Sequence, residues 1–189
     1  MRSERGIIDG ILVQYLSQQA AGQLPQVFVA AAAAARSDSL GSTLGSVLKH
    51  AQVLKQGSEL IASRMHHRSR SRVSFFVLLQ LTPTHQRVAE VLYYLRVQPP
   101  AAAAIPAEGL GALALRLAVC KVFTARARQG SLHVVDPSSV QHEARAFSVD
   151  NLVTVLASAH PGRNNGRLNN DAADRGKIFL MQSGNLSKM

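Results

Sequence analysis

From Leu40 to Met65 the chain repeats at alternating intervals of four and three residues. Leu40, Leu44, Val47, Ala51, Leu54, Ser58, Ile61 and Met65 fall on one stripe, with Ser58 its polar member and Leu48 widening it. That spacing predicts an amphipathic helix over 40–65. Its face, Leu40, Leu44, Val47, Leu54 and Ile61, is a candidate surface for a protein partner; the plainer expectation is a helix packed within its own domain. Upstream, Ile8, Ile11, Leu12, Tyr15 and Leu16 predict a first helix over 6–19. The alanine tract that ends at Arg36 favours a second, over 26–36.

The pattern then changes. Val73 to Leu81 is rich in β-branched and aromatic residues and shows no clean alternation, which predicts a strand covered on both faces. Pro83 ends it. Beyond Thr84, Val88, Val91, Leu92 and Leu95 return at helical spacing, predicting a helix over 85–96. Another is expected over 108–128, from Leu110, Leu113, Leu117, Cys120 and Phe123. Ser131 to Val135 suits a short strand. Asp136-Pro137 has the chemistry of a helix N-cap followed by proline at the first position. Ser148 supplies a cap for a further helix over 149–159, stopped at His160-Pro161-Gly162.

The fold class expected from these elements is mainly α with minor β: a small helical domain, one or two short strands and a flexible C-terminal tail. Its divisions are a helical region with a basic run and one strand (1–97), a Pro/Ala-rich linker or loop (98–107), a helical region (108–160) and a polar tail (161–189). Ile178 to Met181 is a last apolar patch in that tail, able to dock on the body.

Charge changes this picture more than size does. The 189-residue chain has 21 Lys and Arg against 11 Asp and Glu, a formal net charge of +10. Such a balance favours anionic partners, RNA or DNA above all. Half of it lies in 61–100, where Arg64, Arg68, Arg70, Arg72, Arg87 and Arg96 face only Glu90. In an extended chain Arg68, Arg70 and Arg72 project to one side, and guanidinium forks match phosphate oxygens. These six arginines are the candidate nucleic-acid contacts. Few aromatic residues are present to stack bases, so little sequence specificity is expected. The plainer reading of Arg68 to Arg72 is a solvated loop that guards the following strand against aggregation.

Other chemistry is thin. The chain holds 1 cysteine, Cys120, in an apolar run that predicts a buried, inert thiol. His133, Asp136 and His142 match no recognised metal-ligand spacing, and no metal or other cofactor is expected. There is no G-x-S-x-G, no P-loop and no evident carboxylate pair. The chain therefore reads as a binding protein rather than an enzyme. No stretch has the length of a transmembrane helix. Without a signal-peptide pattern an intracellular location is favoured, and Ser187-Lys188-Met189 is a variant of a peroxisomal address. Three readings result: a low-specificity nucleic-acid-binding accessory protein, a scaffold docking through helix 40–65, and a reading frame with no selected function.

Overall fold

The computed structural model describes residues 3–19, 24–36, 44–54, 60–66, 75–99, 114–124, 126–129, 132–158 and 177–182. It is a β protein. Two α-helices, α1 (Glu4–Ser17) and α2 (Val29–Arg36), precede eleven strands among these residues. The expected mainly-α fold is overturned.

α1 forms where the apolar stripe predicts it. Ser3 caps it by accepting a hydrogen bond from the Gly6 amide at 3.2 Å, which satisfies one of the unpaired N–H groups of the first turn. Ile11, Leu12 and Leu16 are buried. α2 follows a 3-10 turn over Gln26–Phe28 and buries Ala31 and Ala32 beside Phe28. The small alanine side chains let α2 lie close against α1.

The helix predicted over 40–65 does not exist. Three short strands occupy its described residues: β1 (Val47–His50), β2 (Gln52–Leu54) and β3 (Leu60–Ala62). β2 and β3 pair in a separate two-stranded ladder. Val47 and Leu44 pack towards the helices, whereas Ile61 is buried in a different cluster. The predicted partner face is thus divided between two cores. Leu40 lies outside the described residues. Of Leu54 only the backbone is described, in β2. Gly45 is needed where it stands: a Cβ there would run into the Pro99 carbonyl oxygen and sit 2.8 Å from that of Gln98.

β4 (Phe76–Thr82) corresponds to the predicted strand, with Val77, Leu78 and Leu79 all buried. A tight turn at Pro83-Thr84 leads into β5 (His85–Val97), which replaces the helix predicted over 85–96. The remaining strands are β6 (Leu115–Val122), β7 (Arg126–Gln129), β8 (Leu132–Val135), β9 (Arg145–Ser148), β10 (Leu152–Ser158) and β11 (Ile178–Gln182). β6 and β7 stand where a helix was expected over 108–128, and β10 where one was expected over 149–159. Of the helix expected after Asp136, only a 3-10 turn over Pro137–Ser139 forms.

These strands build one antiparallel sheet in the order β7-β8-β11-β10-β4-β5-β6-β9. It curls into a half-barrel. β5 organises it. Along one edge its first half pairs with β4 and its last residues, Tyr94 to Val97, pair with β1. β6 runs along the other edge. The amides of Arg64 and Met65 donate to the carbonyls of Val91 and Leu92, filling the gap between β4 and β1.

The pairing of β5 with β6 shifts register between Val91 and Tyr93. This bulge bends the strand and exchanges its faces. Ala89, Val91 and Tyr94 therefore share one core, and Tyr93, Leu95 and Val97 share another. The second core lies under α1 and α2 with Leu117, Val119 and Ala146. The first occupies the opposite face, with Val77, Leu79, Ala118, Cys120 and Val122. β11, within the segment expected as a tail, lies between β8 and β10 and buries Leu180.

Candidate anion-binding cleft

The core opposite the helices opens to solvent at one end of the sheet. Its strands carry their side-chain alternation outwards. Along β4 the buried Leu79 is followed on that face by Leu81. Ala89 on β5 is preceded by Arg87 and His85, and Cys120 on β6 is followed by Val122. Phe147 and Arg145 stand opposite Ala118 and Cys120 on the neighbouring β9. The β5 and β9 rows pass from apolar inside to polar or cationic at the rim, while the β4 and β6 rows stay apolar. The result is a cleft of about 250 Å³. Leu81, Val122, Phe123 and Phe147 form its apolar wall; Thr124 and Gln141 join the cations as polar groups. None of its lining residues among those described is acidic.

Arg87 is held in place. Its Nε donates to His85 Nε2 at 2.9 Å, and a second guanidinium N–H donates to the Thr124 carbonyl oxygen. Thr124 is fixed in turn: its hydroxyl donates to the Ser139 carbonyl at 2.9 Å. Asp136 supports that turn by accepting from the Ser138 amide at 2.8 Å, as the Asp-Pro pair predicts. These bonds hold the Asp136 carboxyl below the usual carboxylate range, the Ser138 hydroxyl foremost and its amide second. Arg145, across the cleft, is exposed and forms no ion pair with another described residue.

Of the six arginines expected to act together, the three described, Arg64, Arg87 and Arg96, are not brought together. Arg64 Nη1 lies 2.7 Å from Glu90 Oε1, and the Glu90 side chain is only 12% exposed. A buried carboxylate requires such a partner, so Arg64 has a structural role. Arg96 is at the far end of β5, paired across the ladder with Arg116. It is nine positions along the strand from Arg87, about 30 Å at ~3.3 Å per residue. Arg68, Arg70 and Arg72 lie outside the described residues. Of the three described, only Arg87 reaches the cleft. Sequence reasoning missed His85 and Arg145. The signal was there in His85-x-Arg87 and Arg145-x-Phe147, pairs two apart that share a face on a strand. A helical assignment points the members of each pair in different directions.

Cys120 is fully buried beside Tyr94, and burial raises both side chains' pKa, making the thiol a poor nucleophile. The Tyr94 hydroxyl has no hydrogen-bond partner among the described residues. Among those residues, too, no three His, Cys, Asp or Glu side chains gather as a metal site. His133 is buried in β8 while His142 is exposed before β9. No described helix is long and apolar enough to cross a membrane.

The fold and cleft define a class: an antiparallel half-barrel with two helices over one face and a cationic mouth at the end of the other. No protein-family model matches the chain, and neither a curated protein nor a solved structure matches it.

Proposed function

We propose that the protein binds nucleic acid with low sequence specificity, and that the cleft at His85, Arg87 and Arg145 supplies phosphate contacts. One observation carries the reading: cations from two strands converge on a concave site that no acidic side chain lines among the described residues. A guanidinium fixed by hydrogen bonds loses little conformational freedom on meeting a phosphate oxygen. The net charge of +10 adds long-range attraction for a polyanion. The apolar wall has room beside the cations for a base or sugar, and no array of base-reading donors accompanies it.

Binding of this kind releases counterions and weakens with salt. The test is the affinity for single-stranded RNA across a salt series. Replacing Arg87 and Arg145 together with Gln is expected to weaken binding and to lower the log–log salt slope by about 2. A double variant that binds like the parent with an unchanged slope overturns the reading, as does a parent protein that binds no RNA at low salt.

A further inference from the structure

Arg87 and His85 touch in a way that constrains protons. A guanidinium nitrogen is always a donor. The 2.9 Å contact from Arg87 Nε therefore requires a lone pair on His85 Nε2. The imidazole in this arrangement is neutral, with its proton on Nδ1. A proton added at Nε2 removes the acceptor and places two cations side by side. Arg87 then keeps its bond to the Thr124 carbonyl, and its Nε is free for another acceptor.

We infer that the cleft is a proton-coupled anion site, in which a phosphodiester group binds together with a proton on His85. This rests on the nucleic-acid reading and adds its regulation. A phosphodiester oxygen accepts from the imidazolium and from the released guanidinium at once, replacing the lost internal bond with charge-assisted ones. The coupling is reciprocal: the bound anion favours the protonated ring, and the protonated ring favours the anion. Imidazole is the side chain that ordinarily changes charge between about pH 5 and about pH 8. Because the anion and the proton bind together, binding tightens as the proton concentration rises.

The surroundings of His85 give this sign. Arg87 is on its own strand and Arg145 comes from β9. The residues that β4 and β6 present to the cleft, Leu81 and Val122, are uncharged, as are Phe123 and Thr124 beyond β6. His142 and Glu143 are exposed in the segment before β9 and do not line the cleft. Among the described residues no carboxylate in the lining opposes the two arginines, so the bound anion is what relieves their repulsion with a protonated His85.

The probe is a short oligothymidylate, whose phosphodiesters and bases keep their charge state through the interval. Affinity is measured at constant ionic strength from about pH 8 to about pH 5.5. The full chain is expected to bind at least about five-fold more tightly at the acid end, one pKa unit of coupling being worth about ten-fold. His85→Gln accepts the Arg87 hydrogen bond but does not titrate. It is expected to lose most of the rise in affinity between the alkaline and the acid end. His85→Lys carries a fixed charge and is expected to bind more tightly than the parent at the alkaline end. His85 is exposed, so neither change disturbs the core. Undiminished tightening in His85→Gln overturns the inference, because other histidines would then be the source. Parent binding that is flat with pH yet sensitive to Arg87→Gln and Arg145→Gln overturns it too, and leaves the nucleic-acid reading standing. Absence of binding at every pH at low salt overturns both.

Discussion

At its C-terminal end β5 sends Tyr93, Leu95 and Val97 beneath α1 and α2, whereas at its N-terminal end His85 and Arg87 open onto the cleft. One strand thus serves two purposes, and the bulge near Leu92 divides them. The helical end is closed by apolar packing from α1, α2, β6 and β9. Lys49 fastens it further: its ammonium lies 2.6 Å from Glu4 and 4.4 Å from the centre of the Tyr93 ring. Among the described residues the cleft end has no such cover, and Arg87 and Thr124 there are held by hydrogen bonds, Thr124 to a neighbouring turn. Burial stabilises one end; the other keeps cations accessible on a backbone that the first end holds still.

The largest effect expected from this contrast is in stability. Leu95 is 1% exposed and Leu81 is 38% exposed. Leu95→Ala should cost about 2–5 kcal/mol, because it leaves a cavity under the helices. Leu81→Ala, at the cleft rim, should cost less than about 1 kcal/mol. Urea unfolding of the two variants makes the comparison. Equal losses would mean that the two ends are equally packed and the contrast is false.

A smaller effect is expected midway, at Glu90. Arg64→Gln removes the charged partner of a carboxylate that is only 12% exposed. The loss should be about 1–3 kcal/mol, moderated because the Arg64 side chain is itself 64% exposed. The salt slope of RNA binding should not change. A lowered slope with unchanged stability would return Arg64 to the nucleic-acid contacts and blur the division between the ends.

The smallest effect is in acid. At the helical end, the hydrogen bond and charge of Lys49 hold the Glu4 carboxyl below its ordinary range. Near the cleft, Ser138 does the same for Asp136. A carboxyl lowered by folding contributes stability above its unfolded pKa, and that contribution is lost as pH falls through the folded value. Unfolding midpoints should therefore decline below about pH 4. Glu4→Gln and Asp136→Asn should each flatten part of that decline. Slopes unchanged in both variants would show that neither link matters to the fold.

Local features were legible in the sequence. The α1 stripe, the buried Cys120, the strand at β4 and most of β8 could be read from it. So could the Asp136-Pro137 turn and the Ser148 cap, whose hydroxyl accepts from the Asp150 amide at 3.3 Å. The capping chemistry was right, but neither cap opens the helix expected of it. Ser148 opens a 3-10 turn over Val149–Asn151 and then β10. The misread helices share a cause. β5 and β6 are buried on both faces, and in β10 Leu156 and Ala157 are buried in succession while Val153 is 41% exposed, so the two-residue alternation of an ordinary strand is missing. In β5 Val88, Val91 and Leu95 recur at helical spacing, yet they belong to three different clusters. Its Val88, Val91, Tyr93, Tyr94 and Val97 have the composition of a strand, and that was the better signal. Reading β5 as a helix also hid the cleft, since His85 and Arg87 share a face only in extended chain.

By itself the sequence determined what depends on near neighbours: a capped amphipathic helix, turn chemistry, an excess of positive charge and a thiol among apolar residues. Only the tertiary structure decided the sheet. A helix satisfies its backbone hydrogen bonds within a few residues, and its periodicity shows in the local pattern. A strand satisfies them on distant partners: Ile178 pairs with Val135, and Leu152 with Leu79. The same long-range pairing carries Arg145 to the side of Arg87. The cleft belongs to that pairing, which no single stretch of the chain contains.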